Sequence, residues 1–260
     1  MLAKLNTKTK PLLQSQGLAV FDMDGTLLRG RFIVELAKRC DKQVDLGKWL
    51  DNSHVGTEER SSHIAKIFAG TPKSTFEQVA REIELTPGGA ETVASLRQLG
   101  FTVGIVTDSY RVVAEVVRRR IHADFSVGNL VRFRRGIASG HLTVSPLLAH
   151  SAGCQIHRFC KHNVLLHLKE RFGIASDRVV AVGDGLNDTC MLRAAHLSVA
   201  FEPKDDRVKA AAQHCVTQDL SKILNLVRDI GWGAVKSSAL ARNYPGMLTE
   251  SDPPTQRGRG

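Results

Sequence analysis

Two aspartates one residue apart are the feature of this sequence that most directly suggests chemistry. Asp22 and Asp24 lie in the stretch VFDMDGTLL, where a short apolar segment runs into both carboxyl groups and then into Gly25. Two carboxylates this close repel each other, and holding them at the end of a buried strand is costly. A cation between them would offset that cost. We therefore expect a divalent metal ion at this point of the chain.

Polar residues with related chemistry follow other apolar segments. They are Thr107 in IVTDSY, Lys161 just before a helical pattern at 163–172, and Asp184, Asn187 and Asp188 in VAVGDGLND. In a parallel sheet, ligand sites form beyond the carboxyl ends of the strands. Four separate segments of the chain are therefore expected to meet at one rim of the sheet.

The residue types at this rim are those of phosphoryl transfer. One aspartate can act as the nucleophile and take the phosphoryl group, while a second protonates the leaving oxygen and then activates water. The negative charge that gathers there must be offset by a metal ion, a lysine and hydroxyl or backbone donors. Hard oxygen ligands beside a phosphate favour Mg²⁺. The two aspartates thus predict a shared site for a metal ion and a phosphate.

The elements that must position these residues alternate along the chain. Patterns of buried strands cover 18–21, 103–106, 179–182 and 197–201, with a weaker one at 123–127. Helical patterns lie at 91–99, 111–120, 163–172, 188–195 and 207–213. Strands that alternate with helices of these lengths predict an α/β protein with a doubly wound, Rossmann-like parallel sheet.

The first two strand patterns are separated by far more chain than one crossover helix requires. Amphipathic segments within 31–84 predict a small helical cap domain inserted after the first strand, over a catalytic core formed by 18–30 and 85–230. An alternating segment with glycine at a turn position predicts a hairpin over 131–144. We expect 1–17 to be a flexible N-terminus and 231–260, rich in Gly, Ser and Pro, to be a disordered tail.

Taken together, these motifs resemble the haloacid dehalogenase (HAD) superfamily, and within it the phosphoserine phosphatase-like group. DMDGT is similar to the first motif of that superfamily, which implies that Asp22 is the nucleophile and Asp24 the general acid/base. The resemblance also implies that Asp24 contributes its backbone carbonyl to the metal. Members that dehalogenate or pump ions lack an acid at this second position, so the sequence resembles the phosphatases and phosphotransferases.

The other three motifs extend the resemblance over about 18–229. Thr107 fits the second motif, whose hydroxyl holds the phosphoryl group, and Lys161 fits the third. GDGLND fits the fourth, which implies that Asp184 and Asp188 serve the metal site. The implied activity is Mg²⁺-dependent hydrolysis of a small phosphomonoester through an aspartyl-phosphate. A phosphotransferase, which would pass the phosphoryl group to an acceptor alcohol, remains an alternative.

Several residues near the motifs depart from the phosphoserine phosphatase pattern. VTDSY places Asp108 and Ser109 where glycine backbone usually faces the ligand, although Asp108 could instead be a turn or cap residue. Arg31 stands where the family carries a glutamate for the substrate ammonium group, and Arg60 is the nearest candidate for the arginine that meets the substrate carboxylate. Asn187 belongs to the same rim. An arginine that faces the substrate prefers an anion to an ammonium group. The expected substrate is therefore either phosphoserine or another anionic phosphometabolite.

Composition argues against several other classes of protein. No run of about 18 apolar residues occurs, so a membrane span is not expected. The formal charge of +10 would suit nucleic acid, but the basic residues are dispersed and only 5% of residues are aromatic. A basic nucleic-acid-binding protein is therefore the weaker alternative to an enzyme with a small phosphorylated substrate. The N-terminus lacks a secretory apolar core, which makes the cytoplasm the expected location, and the oligomeric state is left open.

The five cysteines are scattered over the chain, which is not the pattern of a disulfide framework. Cys154, His157, Cys160 and His162 nevertheless lie together in CQIHRFCKH, and two thiolates with two imidazoles are a common zinc set. Their spacing differs from paired C-x₂-C knuckles, so a loop with incidental cysteines and histidines is the alternative. The sequence leaves metal binding at this segment open.

Overall fold

A seven-stranded sheet forms the centre of the molecule. The structure, a computed structural model, describes residues 15–50 and 55–232. The strands are β1 (Gly17–Phe21), β2 (Phe101–Tyr110), β3 (Phe125–Arg134), β4 (Ile137–Thr143), β5 (Val179–Gly183), β6 (Leu197–Phe201) and β7 (His214–Val216). Their order across the sheet is β4-β3-β2-β1-β5-β6-β7. Every neighbouring pair is parallel except β3 and β4, so the carboxyl ends of β1, β2 and β5 meet at one edge.

Helices cover both faces of this sheet. The α-helices of the described residues are α1 (Phe32–Arg39), α2 (Gln43–Gly47), α3 (Thr57–Ile67), α4 (Lys73–Glu82), α5 (Gly89–Gln98), α6 (Arg111–Arg120), α7 (Lys161–Phe172), α8 (Thr189–Ala194), α9 (Asp206–Ala211) and α10 (Ile223–Asp229), of which α5 to α10 cover the sheet. Side chains of β1 alternate between two apolar clusters: Ala19 and Phe21 join the cluster with α5, α6 and α10, whereas Leu18 and Val20 join the one with α7, α8 and α9. The predicted doubly wound α/β fold is confirmed.

Helices α1 to α4 lie between β1 and β2 in the chain, which confirms a helical insertion after the first strand. The rings of Phe32 in α1 and Phe76 in α4 pack against Tyr110 at the end of β2, with centroid distances of 6.2 and 5.9 Å. Arg120 joins α6 to the insertion by donating to the carbonyl oxygens of Ala80 and Ile83, each at 2.8 Å. The domain bounds 31–84 and the closing of this cap over the active face stay predictions.

The predicted hairpin is present as β3 and β4. The two residues that join these strands, Arg135 and Gly136, have φ of 50° and 79°, the sign that a type I′ hairpin turn requires. The hairpin meets the helical insertion, because Gly70 donates to the carbonyl oxygen of Ala138 (2.9 Å). Strand β3 begins at Phe125, so the weak strand pattern at 123–127 and the first hairpin strand are one continuous element.

Two elements differ from prediction in ways that bear on chemistry. Strand β2 extends to Tyr110, so Thr107 lies inside the strand, where the pairing register with β3 shifts, rather than after its end. Helix α7 begins at Lys161, which is therefore the first helical residue and not a residue of the preceding loop. Strand β7 was not predicted, because three residues are too few to show a period.

The ends of the described chain are held against the sheet. Gln16 donates to the carbonyl oxygen of Gly100 at 2.9 Å, and the ring of Trp232 packs 5.5 Å from that of Phe101. The remainder of the predicted flexible N-terminus and disordered tail, 1–14 and 233–260, lies outside the described residues. Within the described ranges, no helix is both long enough and apolar enough to cross a membrane.

Candidate active site

Asp22 and Asp24 lie where the central strand leaves the sheet. β1 runs between β2 and β5, and the Asp22 backbone N–H still donates to the carbonyl oxygen of Val182 at 2.9 Å, which fixes the carboxyl group beside β5. The turn that follows needs Gly25: its φ is 83°, and a Cβ there would lie 2.3 Å from Oδ2 of Asp184. The glycine after the two aspartates therefore lets the first and fourth motifs approach each other.

Lys161 reaches the same point from the first turn of α7. Its Nζ lies 2.5 Å from Oδ1 of Asp22 and 2.7 Å from Oδ1 of Asp188, and all three side chains are almost completely buried. Asp188 can lie there because residue 183 is glycine, where a Cβ would be 2.4 Å from the Asp188 carboxyl carbon. Three sequence-predicted residues from separate motifs thus form one hydrogen-bonded group.

Asp184 adds a third carboxylate to this group. One oxygen each of Asp22, Asp184 and Asp188 lies within 4.8 Å of the others. Thr26, which the sequence reasoning passed over although it lies in DMDGT, donates to Oδ1 of Asp184 at 3.5 Å. Hard oxygen donors gathered in this way suit a magnesium ion, and Asp22, Asp184 and Asp188 are the residues that could hold it.

The charges in this group are strongly coupled. Burial raises the pKa of Asp22 well above its usual range, and the carboxylates of Asp188 and Asp184 raise it further against the opposing effect of Lys161. Burial alone would lower the pKa of Lys161, but the carboxylates of Asp188, Asp22 and Asp108 outweigh burial and hold that pKa above its ordinary value. Burial and the charge of Asp188 also raise the pKa of Asp184. One lysine is therefore surrounded by more acidic groups than it can neutralise.

Asp24 occupies a different environment from Asp22. Its Oδ1 accepts the Phe32 backbone N–H at 2.6 Å, so the carboxyl group faces the start of α1 in the helical insertion. Removal from water raises the pKa of Asp24 to about 6, although hydrogen bonds from Phe32 and Ser109 and the charge of Lys161 oppose the rise. A carboxyl group with this pKa can both donate and accept a proton near neutral pH. The predicted metal contact, its backbone carbonyl, is a separate part of the residue.

The second motif brings three adjacent residues to the site in different ways. Thr107 is buried, and its Oγ1 accepts the Ser109 backbone N–H at 3.0 Å. The Asp108 carboxylate accepts a hydrogen bond from Nδ2 of Asn187 at 2.8 Å, which joins the second motif to the fourth across the rim. Asn129 donates to the Asp108 carbonyl oxygen at 2.7 Å. Asp108 is therefore a residue of the rim and not merely a local turn or cap.

A cavity of about 1020 Å³ opens above this group, between the sheet edge and the helical insertion. Most of the residues predicted for the site line it: Asp22, Asp24, Asp184, Asp108, Ser109, Asn187, Arg31 and Arg60. Thr107, Lys161 and Asp188 are buried behind the lining instead. Arg31 and Arg60, which the sequence suggested as candidates for contact with the substrate, thus belong to the same cavity as the carboxylates.

The sequence reasoning missed one wall of this cavity. Glu202, Lys204 and Asp205 follow β6 and line the cavity on the side of the fourth motif. The rule that located the other residues, a position beyond the carboxyl end of a parallel strand, also applies to the predicted strand at 197–201. The positions of these residues directly after a predicted strand therefore indicated the site, but they belong to no recognised motif.

A doubly wound sheet with paired aspartates, a lysine and further carboxylates at its carboxyl edge defines a hydrolase of the HAD-like class. Comparison with known proteins agrees with that class. The family model for haloacid dehalogenase-like hydrolases matches residues 19–193, well over half of the chain. The chain belongs to this family.

Similar curated proteins are named phosphoserine phosphatases. The phosphoserine phosphatase SerB2 of Mycobacterium tuberculosis is 33% identical over 195 residues, which cover 74% of this chain and 45% of that protein. A phosphoserine phosphatase of Archaeoglobus fulgidus is 29% identical over 72% of this chain and 53% of its own length. The chain thus spans about half the length of these two relatives. The Lactococcus lactis enzyme of the same name, 26% identical, is matched over 97% of its length and 83% of this chain.

A solved structure extends the likeness to three dimensions. The phospho-aspartyl intermediate analogue of phosphoserine phosphatase superposes with a TM-score of 0.70 and 24% identity, covering 82% of this chain and 99% of that chain. At this identity, the likeness establishes the shared fold.

Proposed function

We propose that this protein is a Mg²⁺-dependent phosphatase that hydrolyses a small phosphomonoester, with Asp22 as the nucleophile. The names of its phosphoserine phosphatase relatives support this activity. The observation that carries the proposal is the contact of Lys161 Nζ with Asp22 and Asp188, 2.5 and 2.7 Å away, directly behind a cavity that Asp22 and Asp24 line. A buried carboxylate held by a lysine and open to a cavity on one side suits nucleophilic attack.

The donor set fits a magnesium ion. The oxygens of Asp22, Asp184 and Asp188 are close enough to share one cation, and the single lysine among them leaves excess negative charge. When bound, Mg²⁺ would offset the charges of the phosphate and of the nucleophile so that the two can approach. The raised pKa of Asp22 in a buried acidic environment supports the same requirement for a cation.

Two aspartates divide the chemistry. In the first step, an oxygen of Asp22 bonds to phosphorus, the ester bond breaks, and Asp24 gives its proton to the leaving alkoxide. In the second step, Asp24 takes a proton from water, whose oxygen attacks phosphorus and releases Asp22 as a carboxylate together with inorganic phosphate. The pKa of Asp24, about 6, suits a group that donates and then accepts. Lys161 keeps Asp22 oriented throughout.

The cavity lining indicates the kind of substrate. Arg31 and Arg60 line the cavity. A guanidinium group can donate two parallel hydrogen bonds to the two oxygens of a carboxylate or phosphate. Asp108 and Glu202 line the same cavity and could meet an ammonium group. We therefore propose a small phosphomonoester with a second anionic group, either phosphoserine or another anionic phosphometabolite.

Phosphate release with Mg²⁺ tests the activity and the substrate class together. L-Phosphoserine carries a carboxylate and an ammonium group, phosphoethanolamine lacks the carboxylate, and phosphoglycolate lacks the ammonium group. We expect faster release from the two carboxylate compounds, and loss of release in the variant Asp22→Asn. Asp177→Asn, at an exposed position, is the matched control and should keep full activity.

Two outcomes would contradict the proposal. If no compound in a broader panel of phosphomonoesters releases phosphate, the chain is not a phosphatase of small esters. If Asp22→Asn retains appreciable Mg²⁺-dependent turnover, Asp22 is not the nucleophile. Addition of acceptor alcohols to the same assay, with a search for phosphorylated product, separates hydrolysis from phosphoryl transfer to an alcohol.

A further inference from the structure

We propose that Cys154, His157, Cys160 and Cys190 form a second metal site, which binds one zinc ion and fastens the start of α7 to α8. The ligand atoms of these four residues all lie within 4.8 Å of one another. Three come from the segment CQIHRFC, in a C-x₂-H-x₂-C spacing, and the fourth comes from α8. The site shares no residue with the active site, so the inference goes beyond the proposed function.

The distances among the ligand atoms are those of a zinc tetrahedron. Zinc–sulfur bonds of about 2.3 Å and zinc–nitrogen bonds of about 2.1 Å at tetrahedral angles place two sulfurs about 3.8 Å apart and a sulfur and a nitrogen about 3.6 Å apart. Sγ of Cys154 lies 3.8 Å from Sγ of Cys190. Nδ1 of His157 lies 3.6 Å from each of these sulfurs. Cys160 completes the set of four from the start of α7.

The loop is shaped to present its sulfur atoms inward. Backbone N–H groups of His157 (3.4 Å) and Ile156 donate to the Cys154 sulfur, and the backbone N–H of His162 donates to the Cys160 sulfur. These hydrogen bonds direct donors at the two sulfur atoms and so fix their orientation within the loop. The buried Asn163 holds the loop by accepting the Cys154 backbone N–H at 2.7 Å.

The structure changes the ligand set that the sequence suggested. His162 is not among the four clustered residues; it lies at the second position of α7, two residues after Cys160. Cys190, 30 positions after Cys160, takes its place from α8. Three sulfurs and one imidazole nitrogen make a common structural zinc set. The 3.8 Å between Cys154 and Cys190 sulfurs is far longer than the roughly 2.05 Å of a disulfide bond.

The position of the cluster suggests what the metal does. Cys160 directly precedes Lys161, and Cys190 follows Asp188 by two residues. A metal bound by both cysteines would therefore link the two segments whose side chains meet at 2.7 Å in the active site. We infer a structural ion that holds Lys161 and Asp188 in register, with no open position for substrate.

Metal content and the spectrum of a cobalt-substituted protein test this site directly. We expect about one zinc per chain after purification and removal of loosely bound metal. Co²⁺ in place of zinc should show thiolate-to-cobalt charge transfer and the strong visible bands of a tetrahedral ion. Cys154→Ser and Cys190→Ser should each reduce zinc to a small fraction. Cys40→Ser and Cys215→Ser, which change cysteines outside the cluster, should keep it.

The same experiment separates this site from the proposed active site. Asp22→Asn should lose turnover and keep its zinc, so zinc binding survives if the proposed phosphatase activity proves wrong. If a cysteine variant does not fold, the wild-type cobalt spectrum and the lowering of its melting temperature by a strong zinc chelator decide the question.

Three results would overturn the proposal. The wild-type protein could bind neither zinc nor cobalt at micromolar concentration. Zinc could persist in Cys190→Ser and be lost in Glu170→Gln, which would assign it to the neighbouring group of His150, His167 and Glu170. Peptide mapping could also find Cys154 and Cys190 joined as a disulfide in the purified protein.

Discussion

Two of the clusters of potential metal ligands lie at the start of α7 but are built from opposite chemistry. The carboxylate cluster of Asp22, Asp184 and Asp188 lies at the ends of buried strands and contains the ammonium group of Lys161. The cluster of Cys154, His157, Cys160 and Cys190, which we call the thiol cluster, lies between a loop and α8, and His157 is exposed.

This difference separates a reactive site from a structural one. Oxygen donors beside a large cavity suit a hard cation that must admit a phosphate, whereas three sulfurs and an imidazole saturate a zinc ion and leave no place for substrate. The carboxylate cluster would need a cation for charge balance, whereas a cation bound by the thiol cluster would join two elements.

The largest expected effect comes from the lysine within the carboxylate cluster. Lys161→Met leaves Asp22 and Asp188 buried without their cationic partner, so we expect about a thousandfold lower kcat/KM. The free energy of unfolding without divalent metal should fall by about 3–5 kcal/mol. Lys169→Met, on the same helix, is the control and should change little. A Lys161→Met enzyme within tenfold of wild type would show that the contact is not required.

Two matched glycine substitutions each perturb a different cluster, Gly183→Ala the carboxylate cluster and Gly153→Ala the thiol cluster. A Cβ at residue 183 would lie 2.4 Å from the Asp188 carboxyl carbon, and one at residue 153 would lie 2.0 Å from Oδ1 of Asn163. Gly183→Ala should lower kcat and Gly153→Ala should lower zinc occupancy, each with about 1–3 kcal/mol lost from the free energy of unfolding. Gly47→Ala, where a Cβ meets nothing within 4 Å, is the control.

Equal effects of the two glycine variants on kcat and on zinc content would mean that the clusters act as one unit. Steady-state kinetics, metal analysis and urea unfolding on the three variants provide that comparison.

Removal of an arginine from the cavity should affect substrate binding and leave the thiol cluster intact. Arg60 lines the cavity from α3, and one charge-assisted contact to a substrate carboxylate is worth about 1.5–3 kcal/mol. We expect Arg60→Ala to raise KM for phosphoserine about tenfold or more, with little change for phosphoethanolamine and none in zinc content. A similar rise for both compounds would show that Arg60 does not meet the carboxylate.

The smallest expected effect comes from an ion pair at the surface. Its contribution to the free energy of unfolding is the reference for the buried contact of Lys161 with Asp22 and Asp188. Arg118 lowers the pKa of Glu115 to about 2 through hydrogen bonds and its charge. Because this pKa is lower in the folded state, the stabilisation is present above the unfolded pKa of about 4.5 and is lost as pH falls towards 2. Glu115→Gln should therefore cost under about 1 kcal/mol at pH 7, and progressively less as the pH falls to 2, in denaturant titrations. A cost above 2 kcal/mol would show that this pair is less screened than its exposure suggests.

Local patterns were sufficient to predict the central part of the fold. The strands at 18–21 and 197–201 and the helix at 111–120 lie within a residue of the observed elements, because buried strands and amphipathic helices show their period over a few residues. Thr107 was placed after a strand that in fact continues to Tyr110, since polar residues at a sheet edge do not show where pairing stops.

By itself, the sequence determined which residues stand at the carboxyl ends of the parallel strands, because strand patterns and the residues that follow them are adjacent in the chain. Asp22, Asp24 and Asp184 could be assigned to one rim for that reason. Only the tertiary structure decided that Cys190, and not His162, completes the thiol cluster. That contact depends on how the loop before α7 packs against α8, and the proximity of two elements that are far apart in the chain leaves no periodic pattern in the sequence.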